Sequence, residues 1–164
     1  MWTLNRGVND IQRSPHMVEV IGIDHIYITV SDLDAAEEFY DRVMIQTFGF
    51  RKNKFDLGGD PHIQYFNRHF GFVLRPSRAP ARAQPYAPGL HHFCLRVDSV
   101  ADVHAVASQL RALGVNATEP RLYAEYATDY TATFFESPDG VRLEVTNYRQ
   151  ERRERHDNWE HYAG

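Results

Sequence analysis

Apolar and polar residues alternate along two separate stretches of the chain, and the two stretches match. In Gly22-Ile23-Asp24-His25-Ile26-Tyr27-Ile28-Thr29-Val30 the apolar face is Ile26, Ile28 and Val30. In Gly89-Leu90-His91-His92-Phe93-Cys94-Leu95-Arg96-Val97 it is Phe93, Leu95 and Val97. A period of two belongs to a half-buried strand, so strands are expected over Ile21–Val30 and around His92. The less apolar face begins with a histidine in each, His25 and His92. Both stretches then switch to a helical period. Leu33, Ala36, Phe39, Tyr40, Val43 and Met44 recur at three and four, as do Val100, Val103, Val106, Ala107, Leu110 and Leu113. Ser31, followed by Asp32 and Asp34, is the expected N-cap of the first helix, and Asp98-Ser99 supplies that of the second. Phe48-Gly49-Phe50 and Leu113-Gly114-Val115 close them with a glycine.

Short strands are expected next. Gly58-Gly59 marks a turn, and Ile63–Phe66 and Phe70–Leu74 read as strands. In the second half Thr131–Glu136, the turn Ser137-Pro138-Asp139-Gly140 and Val141–Asn147 take their places. The chain is therefore an internal duplication of strand–helix–strand–strand–strand, an α+β arrangement of two βαβββ modules. His92 follows His25 by 67 residues, Gly114 follows Gly49 by 65, and Gly140 follows Gly71 by 69. This registration lays Phe134-Phe135 over Tyr65-Phe66, Leu143 over Leu74, and Glu144 over Arg75. Residues 1–17 lack periodicity and read as a leader outside the domain, which spans 18–148. Within it, 18–75 and 89–148 are the modules, and the Pro-, Ala- and Arg-rich stretch 76–88 links them. Residues 149–164 form a charged tail or helix.

The candidate chemistry follows from the last strand. Val141, Leu143 and Val145 take one face, leaving Arg142, Glu144 and Thr146 on the other. If that face shares a cleft with His25 and His92, two imidazoles and one carboxylate meet there. That is the facial set of non-haem Fe(II) and Mn(II) enzymes and of some catalytic zinc sites. A lone strand histidine more often packs or faces water, but three donors at repeat-matched positions reverse that preference. Arg75 cannot ligate a metal; it is suited to an anionic substrate group or a carboxylate partner. Arg121 and the tyrosine loop containing Tyr123, Tyr126 and Tyr130 are candidates for the cleft mouth. His91 points away as a packing or supporting residue, His69 sits at a turn, and Cys94 reads as a small filler.

Composition narrows the partners. A net charge of −4 gives no reason to expect nucleic acid, and no apolar run reaches membrane-spanning length. Cys94 is the single cysteine, so no intramolecular disulfide forms and a reducing cytoplasm is the expected compartment.

The paired half-repeats, His25 in Asp-His-Ile-Tyr-Ile-Thr-Val, His92 in His-His-Phe-Cys-Leu-Arg-Val, and Glu144 in Phe-Phe-Glu-Ser-Pro-Asp-Gly-Val-Arg-Leu-Glu-Val resemble the vicinal oxygen chelate superfamily. This is the glyoxalase, bleomycin-resistance and extradiol-dioxygenase group, and the resemblance runs from about Val18 to Tyr148. It implies paired βαβββ modules forming a cupped mixed sheet around one divalent ion (Fe, Mn, Zn or Ni), held by His25, His92 and Glu144. Glu144 doubles as a candidate general base, with Tyr27, Arg75, Arg121, Tyr123, Tyr130 and Phe134 shaping a small-molecule pocket. Lactoylglutathione lyases supply a further Glu or Gln ligand where Arg75, or Val73, falls here. Extradiol enzymes use His, His and Glu alone but carry a tyrosine at the position of Phe134. The resemblance implies, first, a lyase or isomerase acting on vicinal oxygens and, second, a ring-cleaving dioxygenase. A metal-free binding protein of the bleomycin-resistance kind is the alternative outside catalysis. A homodimer is expected, since many members with one module pair dimerise.

Overall fold

The computed structural model describes residues 18–79 and 81–161; the leader expected over residues 1–17 lies outside them. Among these residues eight strands form two four-stranded mixed sheets. The first contains β1 (His25–Val30), β2 (Arg51–Leu57), β3 (Asp60–Phe66) and β4 (Gly71–Pro76), in the order β1-β4-β3-β2. The second contains β5 (Phe93–Val97), β6 (Arg121–Leu122), β7 (Thr131–Glu136) and β8 (Arg142–Asn147), ordered β5-β8-β7-β6. In each, the first and last strands of the module run parallel and the remaining pairs antiparallel. Both sheets thus share one topology, as the duplication requires, and the fold is α+β. The edges of β1 and β5 are not joined to each other, so the cup is divided into two halves.

Helices α1 (Leu33–Tyr40) and α2 (Val100–Ala112) cover the apolar sheet faces. Asp32, not Ser31, caps α1, its carboxylate accepting from Ala35 N at 3.0 Å. Ser31 is taken by the other module: its N–H donates to Asp139 Oδ1 at 3.0 Å and its hydroxyl donates to the same oxygen. Ser99 caps α2 in a reciprocal pair with Asp102. Past Tyr40 the first helix widens into a π-helical turn over Asp41–Thr47, with Phe48 N bonding five residues back to Val43 O. Gly49 and Gly114 then reverse the chain at φ +67° and +78°, conformations glycine adopts without strain.

Four differences from the sequence reading have local causes. β1 starts at His25, not Ile21, and residues 18–24 are irregular, with Val20, Ile21 and Ile23 exposed. The charged run Arg51–Leu57 is a strand because the Gly58-Gly59 turn folds it onto β3 over seven pairs, from Arg51 opposite Phe66 to Leu57 opposite Asp60. β6 has only two residues, too short for any period to reveal. His92 lies just outside β5. At the C-terminal end α3 (Gln150–Asp157) has no buried residue; Arg153 ties it to Asp98 at 2.6 Å. Among the described residues no helix is long and apolar enough to cross a membrane.

One core spans both modules. Tyr40, Met44, Tyr65, Phe72 and Leu74 join Leu110 and Leu143 in it, Phe72 meets Phe93 at 5.4 Å between ring centroids, and Phe39 meets Phe135 at 6.5 Å. Burying such side chains is worth about 1.5–3 kcal/mol each, which fixes the modules against one another. The opposite, histidine-bearing sheet faces point away from this shared core.

Candidate metal centre

Strand register decides which side chains share a face. In the second sheet Cys94 lies opposite Glu144, and Glu144 lies opposite Phe134. In the first sheet Tyr27 lies opposite Val73, and Val73 opposite Gln64. Counted from the histidines, Tyr27 matches Cys94, so the counterpart of Glu144 is Val73 and the counterpart of Phe134 is Gln64. The sequence registration, which placed Arg75 there, was displaced by two residues because it aligned Gly140 with Gly71 across turns of unequal length. The position where a fourth metal ligand would stand is therefore a buried valine. Arg75 lies further along β4 and donates to Asp60 Oδ2 at 2.6 Å, an oxygen also reached by Arg78 at 2.9 Å. Arg78, then Arg75, holds the Asp60 carboxyl below its usual range.

His92 and Glu144 come together. His92 Nε2 is 3.1 Å from Glu144 Oε2, and the Tyr130 hydroxyl donates to Glu144 Oε1 at 2.5 Å. The Glu144 side chain is 4% exposed, and no Lys or Arg among the described residues pairs with it. A carboxylate removed from water with a phenol, an imidazole and the Cys94 thiol beside it lacks a full counter-charge. Burial, then the hydrogen bond to Glu144, raises the Tyr130 hydroxyl far above its usual range, so it remains a neutral donor.

Both histidines have Nδ1 engaged, which leaves Nε2 as the ring nitrogen that could coordinate an ion. His92 Nδ1 is 2.7 Å from His91 Nδ1, and His91 in turn packs edge-on against Tyr86. His25 Nδ1 is 2.7 Å from Asp24 Oδ2. His25 belongs to the other half of the cup. It borders a polar cleft of about 420 Å³ lined also by Asn53, Gln64 and His69. Among the described residues no three of His, Cys, Asp and Glu stand close enough to hold one ion. One chain thus brings two of the three expected donors together and keeps His25 apart.

The remaining expected residues divide between the halves. Tyr27 packs edge-on between His25 and His62. His62 is buried and stacked on Phe55, an arrangement the sequence did not suggest because the β2 pairing was hidden. Tyr123, Tyr126, Tyr130 and Phe134 form a connected aromatic wall on the Glu144 side. Arg121 lies over Tyr123 at 4.1 Å and Arg149 over Tyr130 at 5.0 Å. Cys94 is exposed on the same face as Glu144.

The donor chemistry fits a divalent ion: a buried carboxylate lacking a full counter-charge, with an imidazole whose Nε2 faces it. Residues 22–145 match the family model described as Glyoxalase/Bleomycin resistance protein/Dioxygenase superfamily. The chain belongs to that superfamily. It is 30% identical over 128 residues to the uncharacterized protein YaeR of Escherichia coli K12, covering 75% of this chain and 93% of that one. A glyoxalase family protein from Enterococcus faecalis superposes with a TM-score of 0.59 at 27% identity, covering 77% of this chain and 97% of its own. A glyoxylase/bleomycin resistance protein/dioxygenase domain from Frankia sp. EAN1pec gives 0.65 at 20% identity, over 80% and 100% respectively.

Proposed function

We propose that the protein is a homodimeric, metal-dependent lyase or isomerase acting on a small substrate with vicinal oxygens. In this reading His92 and Glu144 of one chain hold the ion together with His25 of a second copy. The observation that carries it is the Glu144 carboxylate, buried beside the Nε2 of His92 without a cationic side chain.

Convergence within one chain would require the modules to move, and the Phe72–Phe93 and Phe39–Phe135 contacts and the Ser31–Asp139 bonds oppose that. A second copy needs no such movement. The free edges of β1 and β5 each adjoin one histidine, and a two-fold pairing joins one edge to the other. Exposed apolar residues flank both, at 86% for Val20, 95% for Ile21, 63% for Ile23 and 52% for Leu90.

When bound, the ion would supply Lewis acidity toward two adjacent oxygens. The chain's own contribution is orientation. His91 and Asp24 set the two imidazoles, Tyr130 fixes Glu144, and the aromatic wall excludes water from one side. Glu144 is the carboxylate available as general base. Val73 at the fourth-ligand position favours a second reading, a ring-cleaving dioxygenase, since that chemistry uses two histidines and one glutamate. The lone Cys94 suits a reducing cytoplasm.

Titration of the stripped protein with Ni(II), Zn(II), Mn(II) and Fe(II) tests the metal. One ion per chain is expected, and no uptake of any of them would leave a metal-free binder. Isomerisation of hemithioacetals under Ni(II) or Zn(II), against oxygen uptake with catechols under Fe(II), separates the two reactions.

A further inference from the structure

The first half of the cup carries an uneven charge. Alternation from Tyr27, Val73 and Gln64 puts Thr29, Arg75, His62 and Asp60 on the same, histidine-bearing face of the first sheet. Asp60 is the single acid among the strand positions of that face, while Arg51 and Arg75 both lie on it. Arg78, just past β4, adds a further guanidinium. Arg75 Nη2 at 2.6 Å and Arg78 Nη2 at 2.9 Å share one oxygen of Asp60. One carboxylate cannot neutralise two guanidiniums, so a net positive charge is left where they meet. Arg75 spends one N–H on Asp60, and the other N–H groups of its fork have no partner among the described residues. Its side chain is 34% exposed, so a ligand can reach it. His62 supports the pair from below. Its Nδ1–H donates to the Asp60 carbonyl at 2.9 Å, and its ring is stacked on Phe55 and set edge-on to Tyr27.

We infer that Arg75 is a binding residue for an anionic group, a carboxylate or a phosphate, carried by the substrate. It stands two positions along β4 from Val73, about 6–7 Å away, beside the Tyr27–His62–Phe55 row. A guanidinium already held by one carboxylate is oriented before the ligand arrives, and its planar fork suits the paired oxygens of an anion. That the anion belongs to the vicinal-oxygen substrate rests on the function proposed above; the subsite itself needs no metal.

The test is NMR titration of the metal-free full chain with succinate, with inorganic phosphate and with neutral succinamide, read at the arginine Nε–H signals and the His62 ring. Saturable shifts at Arg75 and His62 with succinate or phosphate, and none with succinamide, are expected, and the tighter of the two anions identifies the group. Arg75→Met keeps the aliphatic stem and removes the charge, and should weaken that binding by roughly tenfold or more. Arg51→Met, on the same face but without a bond to Asp60, should match the wild type. R75M binding within about twofold of wild type overturns the inference. An equal loss in R51M also overturns it, because the face would then attract anions without a defined site. Absence of a saturable shift with both anions overturns it as well. Anion binding that holds while the metal titration above shows no uptake overturns the metal-dependent reading instead and leaves the subsite standing.

Discussion

Replacing Glu144 by glutamine removes a charge while keeping shape and one acceptor oxygen for Tyr130. In most buried hydrogen-bonded sites such a change is costly. Here the carboxylate is 4% exposed, with His92, Tyr130 and Cys94 as its polar partners and no Arg or Lys in its ion pairs. An under-compensated buried charge contributes little net stability, and neutralising it is often neutral or favourable. The metal-free Glu144→Gln protein is therefore expected within about 1 kcal/mol of wild type, or more stable by that amount. Metal reverses the order. An ion at about 100 times its dissociation constant adds about 2.7 kcal/mol to a protein that binds it only when folded. For a chain of this size about 1 kcal/mol moves the melting temperature by 2–4 °C, so the wild type should rise by about 5–11 °C and E144Q by little. Thermal unfolding by circular dichroism, with and without Zn(II) or Ni(II), measures both. A metal-free E144Q protein destabilised by more than about 2 kcal/mol, or one that gains the same metal shift as wild type, would refute the reasoning.

The contact between modules is testable at Asp139. Asp139→Ala removes the acceptor of both the Ser31 N–H and hydroxyl, and should cost about 1–3 kcal/mol in urea unfolding; Asp139→Asn, which keeps an acceptor oxygen, should cost less. A second test lies in the network where Lys52 reaches Glu37 at 2.7 Å and Asp41 at 2.6 Å. Burial pushes Glu37 up, but Lys52 and Lys54 outweigh it and leave its carboxyl below the usual range. A carboxyl lowered in the folded state adds stability above its unfolded pKa and loses it as pH falls through the folded value. Urea midpoints should thus fall on acidification below the ordinary glutamate range, and less steeply in Lys52→Met.

Much of this architecture was legible because amphipathic periods are strong signals. Phe39 and Tyr40 on α1, Met44 in the π-helical turn that follows it, and Val103, Val106 and Leu110 on α2 are the core residues their spacing predicts. Gly49 and Gly114 end the helices in the left-handed conformation their positions suggest. What the pattern hid was register. β2 reads Arg-Lys-Asn-Lys-Phe-Asp-Leu, an edge strand whose pairing comes from the Gly58-Gly59 turn, not from any apolar face. A two-residue displacement in the last strand of each module was enough to exchange Val73 for Arg75, since a period of two preserves the face and conceals the shift. The division of His25 from His92 was beyond reach, because strand patterns specify faces but not which sheet edges meet. The Tyr130–Glu144 bond was likewise hidden, lying across a loop with no period of its own.

Mixing two defective chains tests the shared site most directly. His25→Ala and Glu144→Ala each remove one donor, so neither homodimer retains an intact donor set. If each site draws His25 from one chain and His92 with Glu144 from the other, a mixed dimer regains one whole site. A statistical mixture, unfolded and refolded together, should then recover about one quarter of the wild-type high-affinity metal. Recovery near that level is the predicted result. Mixed dimers that form but recover no high-affinity metal would contradict it, because every site would then contain one of the two lesions.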